Sequence, residues 1–427
     1  MRLISSRSRL NGTVTIPASK SHTIRAVAIA SLACGQSSIR GPLLSGDTLA
    51  AVDAYRALGA GIDTADPALW KVTGTAGRIA SPDRAIDVGN SGTTLRIAMG
   101  SAALAPPGRS TTFTGDRQIR TRPLGPLIDS LNDLGADCRS LNKNGKAPVR
   151  VSGPLRGGST SIECRTSQYL SSLLLCTPLA PEDTLIEVTL LNEPDYVQMT
   201  LDWLDSQQIE YEHEGMRTFK IKGGQAYRPF DTAVAGDFSS ATFFLCAGAL
   251  VADEVTLLGL DFADSQPDKA VVDYLRAMGA DIIVRPDSVT VKAAPLKATQ
   301  IDMNRTPDAL PAMAVTAAFA QGTTRLLNVP QARNKETDRI SVMAAELKKM
   351  GVDVEELPDG LIIHRSSPRP AELNGHADHR VVMALAIAGL ALEGHCSIDT
   401  AEAINVTFPA YVQLMRQIGA DMEMVDE

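Results

Sequence analysis

The stretch Leu275-Arg276-Ala277-Met278-Gly279-Ala280-Asp281-Ile282 is one copy of a phrase that recurs along the chain. Further copies are Tyr55-Arg56-Ala57-Leu58-Gly59-Ala60-Gly61-Ile62, Leu131-Asn132-Asp133-Leu134-Gly135-Ala136-Asp137-Cys138, Leu347-Lys348-Lys349-Met350-Gly351-Val352-Asp353-Val354 and the stretch from Leu414 to Met422. A degenerate copy, Trp203 to Tyr211, has Gln208 at the marker position. The markers 59, 135, 208, 279, 351 and 419 are spaced 68 to 76 residues apart, so six similar units tile the 427 residues. In each phrase helical apolar spacing stops at the marker, where glycine takes the left-handed conformation that ends a helix without steric cost. Strand-like sequence follows. Upstream of the markers lie short strand-like segments that run into polar loops: Ser38-Ile39-Arg40, Thr112-Phe113-Thr114, Glu187-Val188-Thr189, Val255-Thr256-Leu257, Thr324-Arg325-Leu326 and Ser397-Ile398-Asp399. Solenoid repeats usually run ~20 to 50 residues. Larger units that mix helix and strand predict an α/β chain closing into two lobes of three units each.

Composition narrows the partners. With 41 basic and 49 acidic residues the net charge is -8, which gives no broad field to hold a polyanion, and 4% aromatic residues leave few stacking surfaces for single strands. No nucleic-acid partner is expected. The apolar run Val381 to Leu392 is shorter than the ~18 residues a membrane-crossing helix needs, and the opening residues lack the apolar core of a secretory signal. A cytoplasmic chain away from membranes is the expectation. The six cysteines, at 34, 138, 164, 176, 246 and 396, never approach C-x-x-C spacing and read as buried free thiols, with no metal-ligand set.

The cations gather in five places. Ser19-Lys20-Ser21-His22-Thr23-Ile24-Arg25 precedes an Ala-rich helical pattern from Ala26 to Ala33, and Gly89-Asn90-Ser91-Gly92-Thr93-Thr94-Leu95-Arg96 combines small residues with an arginine at helical spacing. Arg117, Arg120 and Arg122 fall within six residues; Arg333 to Arg339 alternates signs; Asp378-His379-Arg380 precedes the apolar run. Hydroxyls, helix-start N-H groups and cations together suit an anion, although each cluster alone also reads as a capped helix or a solvated surface. Five in one acidic chain, nearly all where loops enter helices, point to a small multiply anionic ligand.

At Pro17 to Arg25, Gly89 to Arg96, Arg120 to Gly125, Thr166-Ser167-Gln168, Gly236-Asp237, Pro307-Asp308-Ala309, Lys335 to Arg339 and Asp378 to Arg380 the chain resembles the 5-enolpyruvylshikimate-3-phosphate synthases, over essentially its whole length. The resemblance implies a two-domain inverse (inside-out) α/β barrel with three βαβαββ units per domain. It places residues 1–18 with 235–427 in one domain and 19–234 in the other, with an active site in the cleft between them. The implied reaction belongs to the shikimate pathway of aromatic amino acid biosynthesis. The enolpyruvyl group of phosphoenolpyruvate passes to the 5-hydroxyl of shikimate 3-phosphate by addition and elimination, and phosphate is released. Carried over residue by residue, shikimate 3-phosphate falls to Lys20, Ser21, Arg25, Thr166, Ser167, Gln168, Asp308 and Lys335, and phosphoenolpyruvate to Lys20, Gly92, Arg122, Gln168, Arg339 and Arg380. Asp308 becomes the base on the hydroxyl, Glu336 the acid and then base at the methylene carbon, and Lys20 their electrostatic and proton-transfer support. His379 is read as a hydrogen-bonding partner near phosphoenolpyruvate. No cofactor or metal is implied, and a monomer is expected.

Some positions depart from the family pattern. Asn192-Glu193-Pro194-Asp195-Tyr196 stands where Ser-x-Pro-Tyr is common, so Glu193 would repel a phosphate if it pointed inward. Val406 replaces a lysine, Thr166 a serine and Gln331 an asparagine. Gly92 is unsubstituted, which implies sensitivity to glyphosate, while the missing lysine at 406 pulls the other way. UDP-N-acetylglucosamine enolpyruvyl transferase is the nearest alternative, but the loop Gly115 to Gly125 lacks its hallmark cysteine and Ser21 stands where it has asparagine. A non-catalytic anion-binding relative is the other, motivated by Val406 and Glu193 and opposed by the retention of Lys20, Asp308, Glu336 and Arg122.

Overall fold

Each marker of the repeated phrase lies just past a helix end and has a positive φ: 109° at Gly59, 98° at Gly135, 97° at Gly279, 81° at Gly351 and 100° at Gly419. Gln208, in the degenerate copy, is held at 57° without glycine's freedom. The structure, a computed structural model, describes residues 1–426. They form two compact units, one of residues 18–234 and one of residues 1–17 with 235–426. Helices α1 (Lys20–Leu32), α2 (Gly46–Ala57), α3 (Gly92–Ala102), α4 (Gly125–Asp133), α5 (Ser167–Cys176) and α6 (Pro194–Ser206) belong to the first. To the second belong α7 (Phe238–Val251), α8 (Val271–Ala277), α9 (Leu310–Ala318), α10 (Arg339–Lys349), α11 (His379–Leu390) and α12 (Tyr411–Gln417).

Six four-stranded sheets follow one plan. Ile86–Asp87 pairs in parallel with Ser110–Thr114 across α3; Val149–Ser152 then pairs antiparallel with Ser110–Thr114, and Asp137–Ser140 with Val149–Ser152. The same order, strand, inner helix, parallel strand, outer helix, hairpin, is built around α5 and α6 by Gly158–Cys164, Thr184–Leu191, Tyr211–Glu214 and Thr218–Ile221. This is the βαβαββ unit of an inverse α/β barrel. At the two crossings the chain exchanges strands. Leu10–Thr15, which leads into α1, pairs with Ala252–Leu258 after α7, whereas Asp231–Ala233, which leads into α7, pairs with Gln36–Arg40 after α1. The N-terminal strand Arg2–Ser6 lies between His395–Ile398 and Asp421–Val425 and completes the last sheet.

The inner helices explain why glycine markers were a better guide than amphipathic period. All residues of α3 and α11 are buried, as is α7 from Phe238 to Ala249. Such helices need apolar side chains all round and have no polar stripe to betray them. Close approach is part of the packing, since a methyl on Gly100 would sit 2.6 Å from the Ser172 hydroxyl of α5. Helix α1 starts at Lys20, not at Ala26, so Lys20 to Arg25 form its opening turns. Five cysteines are buried and Cys34 is exposed.

The markers yield opposite expectations. Gln208→Gly should stabilise the protein by ~0.5–1 kcal/mol, because relief of left-handed strain exceeds the entropy that glycine adds to the unfolded chain. Gly279→Ala at φ 97° should cost ~1–2 kcal/mol. Denaturant unfolding of both variants checks the pair of signs.

Candidate active site

Polar groups of unit 18–234 collect where its inner helices begin, because the first turn of a helix has N-H groups without intrahelical partners. Ser19 caps α1 and accepts from the His22 N-H at 3.4 Å, which sets Lys20 in the first turn and Arg25 one turn later. Lys20 pairs with the buried Asp47 carboxylate at 3.2 Å. Arg25, 2% exposed, donates to the Thr200 hydroxyl (2.9 Å), the Ser171 hydroxyl (3.3 Å) and the carbonyls of Ser21 and Tyr196. Burial pulls its pKa down to about 10, with the Tyr196 phenol opposing, so it remains a cation at neutral pH.

Helices α3 and α5 meet through side chains. Arg96 donates to the Gln168 amide oxygen at 2.6 Å and lies 5.4 Å from the centre of the Tyr169 ring, while Gln168 donates to the Thr93 hydroxyl at 3.0 Å. Burial lowers the Arg96 pKa and neighbouring Arg122 adds to the effect, against the raising influence of Tyr169 and Glu193. Of the three arginines between 117 and 122 only Arg122 is buried, and it donates to the Asn90 side-chain oxygen at 3.1 Å. Gly92 leaves room for this pair of cations: a methyl there would lie 2.5 Å from Arg122 Nη1 and 2.8 Å from Arg96 Nη1. At α5, Thr166 is the N-cap, and Thr166 and Ser167 both bond the buried Glu193 carboxylate.

In the second unit one guanidinium draws the pieces together. Arg339, the first residue of α10 and fully buried, binds Asp378 through Nε (2.8 Å) and Nη2 (3.2 Å), Asp308 through Nη1 (2.8 Å) and Glu336 through Nη2 (2.5 Å). Asp308 also pairs with Arg380 at 3.0 Å and Lys335 at 3.8 Å. Burial alone would lower the Arg339 pKa, but the carboxylates of Asp378, Glu336 and Asp308 outweigh it and raise the pKa. Three carboxylates and three cations thus balance in one cluster.

Asp308, Lys335, Glu336, Arg339 and Arg380 fall in this network, His379 is the buried first residue of α11, and the residues assigned from 20 to 168 lie at or beside the inner-helix starts. Three supporting residues escaped the sequence reading. Asp47 holds Lys20; Asp378, seen only as a flank of Arg380, caps α11 and anchors Arg339. Glu346, buried on α10, accepts from the Asn374 N-H (2.9 Å), bonds His376 (2.9 Å) and pairs with Lys349 (2.8 Å), and so ties down the loop that leads to Asp378. Val406 ends a short 3₁₀ turn, half-buried, and Gln331 donates to the Asn304 carbonyl at 2.9 Å.

Comparison with known proteins adds a family. The model described as "EPSP synthase (3-phosphoshikimate 1-carboxyvinyltransferase)" matches residues 4–415. A 3-phosphoshikimate 1-carboxyvinyltransferase of Acetivibrio thermocellus is 54% identical over 416 residues, covering 97% of this chain and 98% of that one. Its counterpart in Ruminiclostridium cellulolyticum is 51% identical, covering 98% and 99%. Among solved structures, EPSP synthase from Acinetobacter baumannii aligns with a TM-score of 0.83 at 25% identity, over 99% of this chain and 100% of that one. The enolpyruvyl transferase NikO from Streptomyces tendae shares the fold, with a TM-score of 0.75 at 20% identity over 99% and 98%.

Removing the central cation should be costly. Arg339→Met strips the buried Asp378 carboxylate of its guanidinium partner and the half-buried Asp308 and Glu336 of a shared one, and should destabilise its unit by ~3–5 kcal/mol, as read by denaturant unfolding. For Glu346, burial raises the pKa, but hydrogen bonds from His376, Lys349 and the Asn374 N-H lower it further than burial raises it. Stabilisation from a depressed carboxylate is present above its unfolded pKa and fades as pH falls through the folded one. The stability gap between wild type and Glu346→Gln should therefore be widest at neutral pH and close below pH ~4, as read by denaturant titration across pH.

Proposed function

The chain belongs to the EPSP synthase (3-phosphoshikimate 1-carboxyvinyltransferase) family and transfers the enolpyruvyl group of phosphoenolpyruvate to shikimate 3-phosphate; from that premise we propose how its own residues divide the work. The observation that carries the division is the shared guanidinium: Asp308 and Glu336 both bond Arg339, and so are held at fixed positions as a pair of carboxylates among cations. Addition needs a base to take the proton of the 5-hydroxyl as its oxygen attacks C2 of phosphoenolpyruvate, and an acid to protonate C3. Elimination needs that C3 proton removed while phosphate leaves. We assign the first task to Asp308 and both C3 steps to Glu336, with Lys20 lending charge and proton-transfer support. Arg122, Arg339 and Arg380 offset the charge that builds on the departing phosphate. Ser21, Arg25, Thr166, Ser167, Gln168 and Lys335 hold shikimate 3-phosphate, and Gly92 with Arg122 and Gln168 receives phosphoenolpyruvate.

Two phosphorylated carboxylates repel each other, and a cation-rich site is the physical requirement for holding both. Unit 18–234 supplies Lys20, Arg25, Arg96 and Arg122 against the carboxylates of Asp47 and Glu193, a surplus that suits anions. We read the protein as a cytoplasmic monomer that uses neither nucleic acid nor cofactor. No helix among the described residues is long and apolar enough to cross a membrane.

Phosphate release measured with both substrates, with each alone, and with a Glu336→Ala control tests the reading. Release should require both substrates and collapse in the control; a protein that binds shikimate 3-phosphate without release would be the non-catalytic relative. Gly92→Ala should raise KM for phosphoenolpyruvate ~10-fold by pushing Arg122 aside, about the worth of one charge-assisted hydrogen bond. Val406→Lys should lower the same KM, and an unchanged value would remove the role given to position 406. Glyphosate should compete with phosphoenolpyruvate, which inhibition kinetics at varied phosphoenolpyruvate reads directly.

A further inference from the structure

Glu193 sits at the start of α6, yet its side chain does not cap that helix. Its carboxylate, 1% exposed, reaches instead to the start of α5, where one oxygen accepts from the Ser167 hydroxyl (2.7 Å), the Ser167 N-H (3.1 Å) and the Thr166 hydroxyl (3.2 Å). A helix start with two hydroxyls is a ready anion site, and here an anion of the chain itself is in it. The backbone aims it there. Glu193 adopts φ 60° and ψ 49°, a left-handed conformation that non-glycine residues seldom take, while Asn192 is tethered to the Cys164 carbonyl (3.0 Å) and the Arg165 carbonyl (3.3 Å). Its negative charge also favours the charged form of the buried Arg96.

Thr166 and Ser167 are the residues the proposed function gives to shikimate 3-phosphate, and this inference rests on that assignment. A hydroxyl has one proton to donate. While the Ser167 hydroxyl donates to Glu193 it cannot donate to a substrate phosphate, and a carboxylate and a phosphate in contact repel. We propose that Glu193 is a built-in competitor for the phosphate of shikimate 3-phosphate. It satisfies the α5 donors and part of the local positive charge in the free protein, and substrate binding displaces it. Affinity for shikimate 3-phosphate is thereby set below what the donors alone would give.

The test uses the full-length protein and its Glu193→Gln and Glu193→Ser variants. Calorimetric Kd for shikimate 3-phosphate, KM for both substrates, and thermal midpoints with and without shikimate 3-phosphate are compared. Both variants should bind shikimate 3-phosphate more tightly, ~10-fold for Gln, the effect of removing one opposing charge. KM for phosphoenolpyruvate should stay at the wild-type value. The unliganded midpoint should fall, as the donors lose an ionised acceptor, while the rise produced by saturating shikimate 3-phosphate should exceed that of wild type. Equal or weaker binding in whichever variants fold, with wild-type binding intact, overturns the proposal alone and makes Glu193 a structural anchor of the site. Wild-type protein that does not bind shikimate 3-phosphate overturns the site assignment and the proposal together.

Discussion

A cation removed from water is tolerated only where opposite charges and hydrogen bonds replace its hydration, and Arg339 shows what that requirement imposes. Its guanidinium is fully buried and touches three carboxylates from three segments, Asp308 before α9, Glu336 before α10 and Asp378 at the cap of α11. Asp378 neutralises it through two bonds. The other two carboxylates are then fixed in direction by the same guanidinium. A planar fork with five donors can do this; a lysine at 339 would supply the charge without the geometry.

The fold explains why such clusters lie where they do. Inner helices surrounded by apolar neighbours can expose polar backbone only at their ends, and their N-termini are the ends that attract anions. Ser19, Ser91, Thr166, Asp237 and Asp378 cap α1, α3, α5, α7 and α11 with side-chain oxygens, and Lys20, Gly92, Ser167 and Arg380 follow within two residues. One local rule, applied in successive repeats, therefore produces an array of anion-directed helix starts. Function required only that particular positions in the array become Lys, Arg, Asp or Glu.

Much of this was legible in the sequence, for identifiable reasons. Glycine at a helix end is a local requirement, so the repeat could be read from the markers, and even the exception at Gln208 kept the left-handed backbone. The motif residues of the site also lie close together in the chain. What escaped was non-local. Nothing near Leu10–Thr15 reveals that it pairs beyond residue 251, because strand exchange at a crossing leaves no local pattern. Asp47 and Glu346 have no motif around them; their partners Lys20 and Asn374 are 27 and 28 residues away. Glu193 was recognisable as a misplaced charge, but its direction depended on a positive φ that the sequence Asn-Glu-Pro does not announce.

We assign to Glu336, held by Arg339, both the delivery and the removal of a proton at C3 of phosphoenolpyruvate. Running the reaction in D2O tests this most directly, because addition turns the methylene into a methyl group whose protons become equivalent before one is lost. Deuterium should appear in the methylene group of the product and in phosphoenolpyruvate recovered at partial conversion, and Glu336→Gln should abolish both signals while shikimate 3-phosphate still binds. Product free of deuterium, or label that survives undiminished in Glu336→Gln, would contradict it.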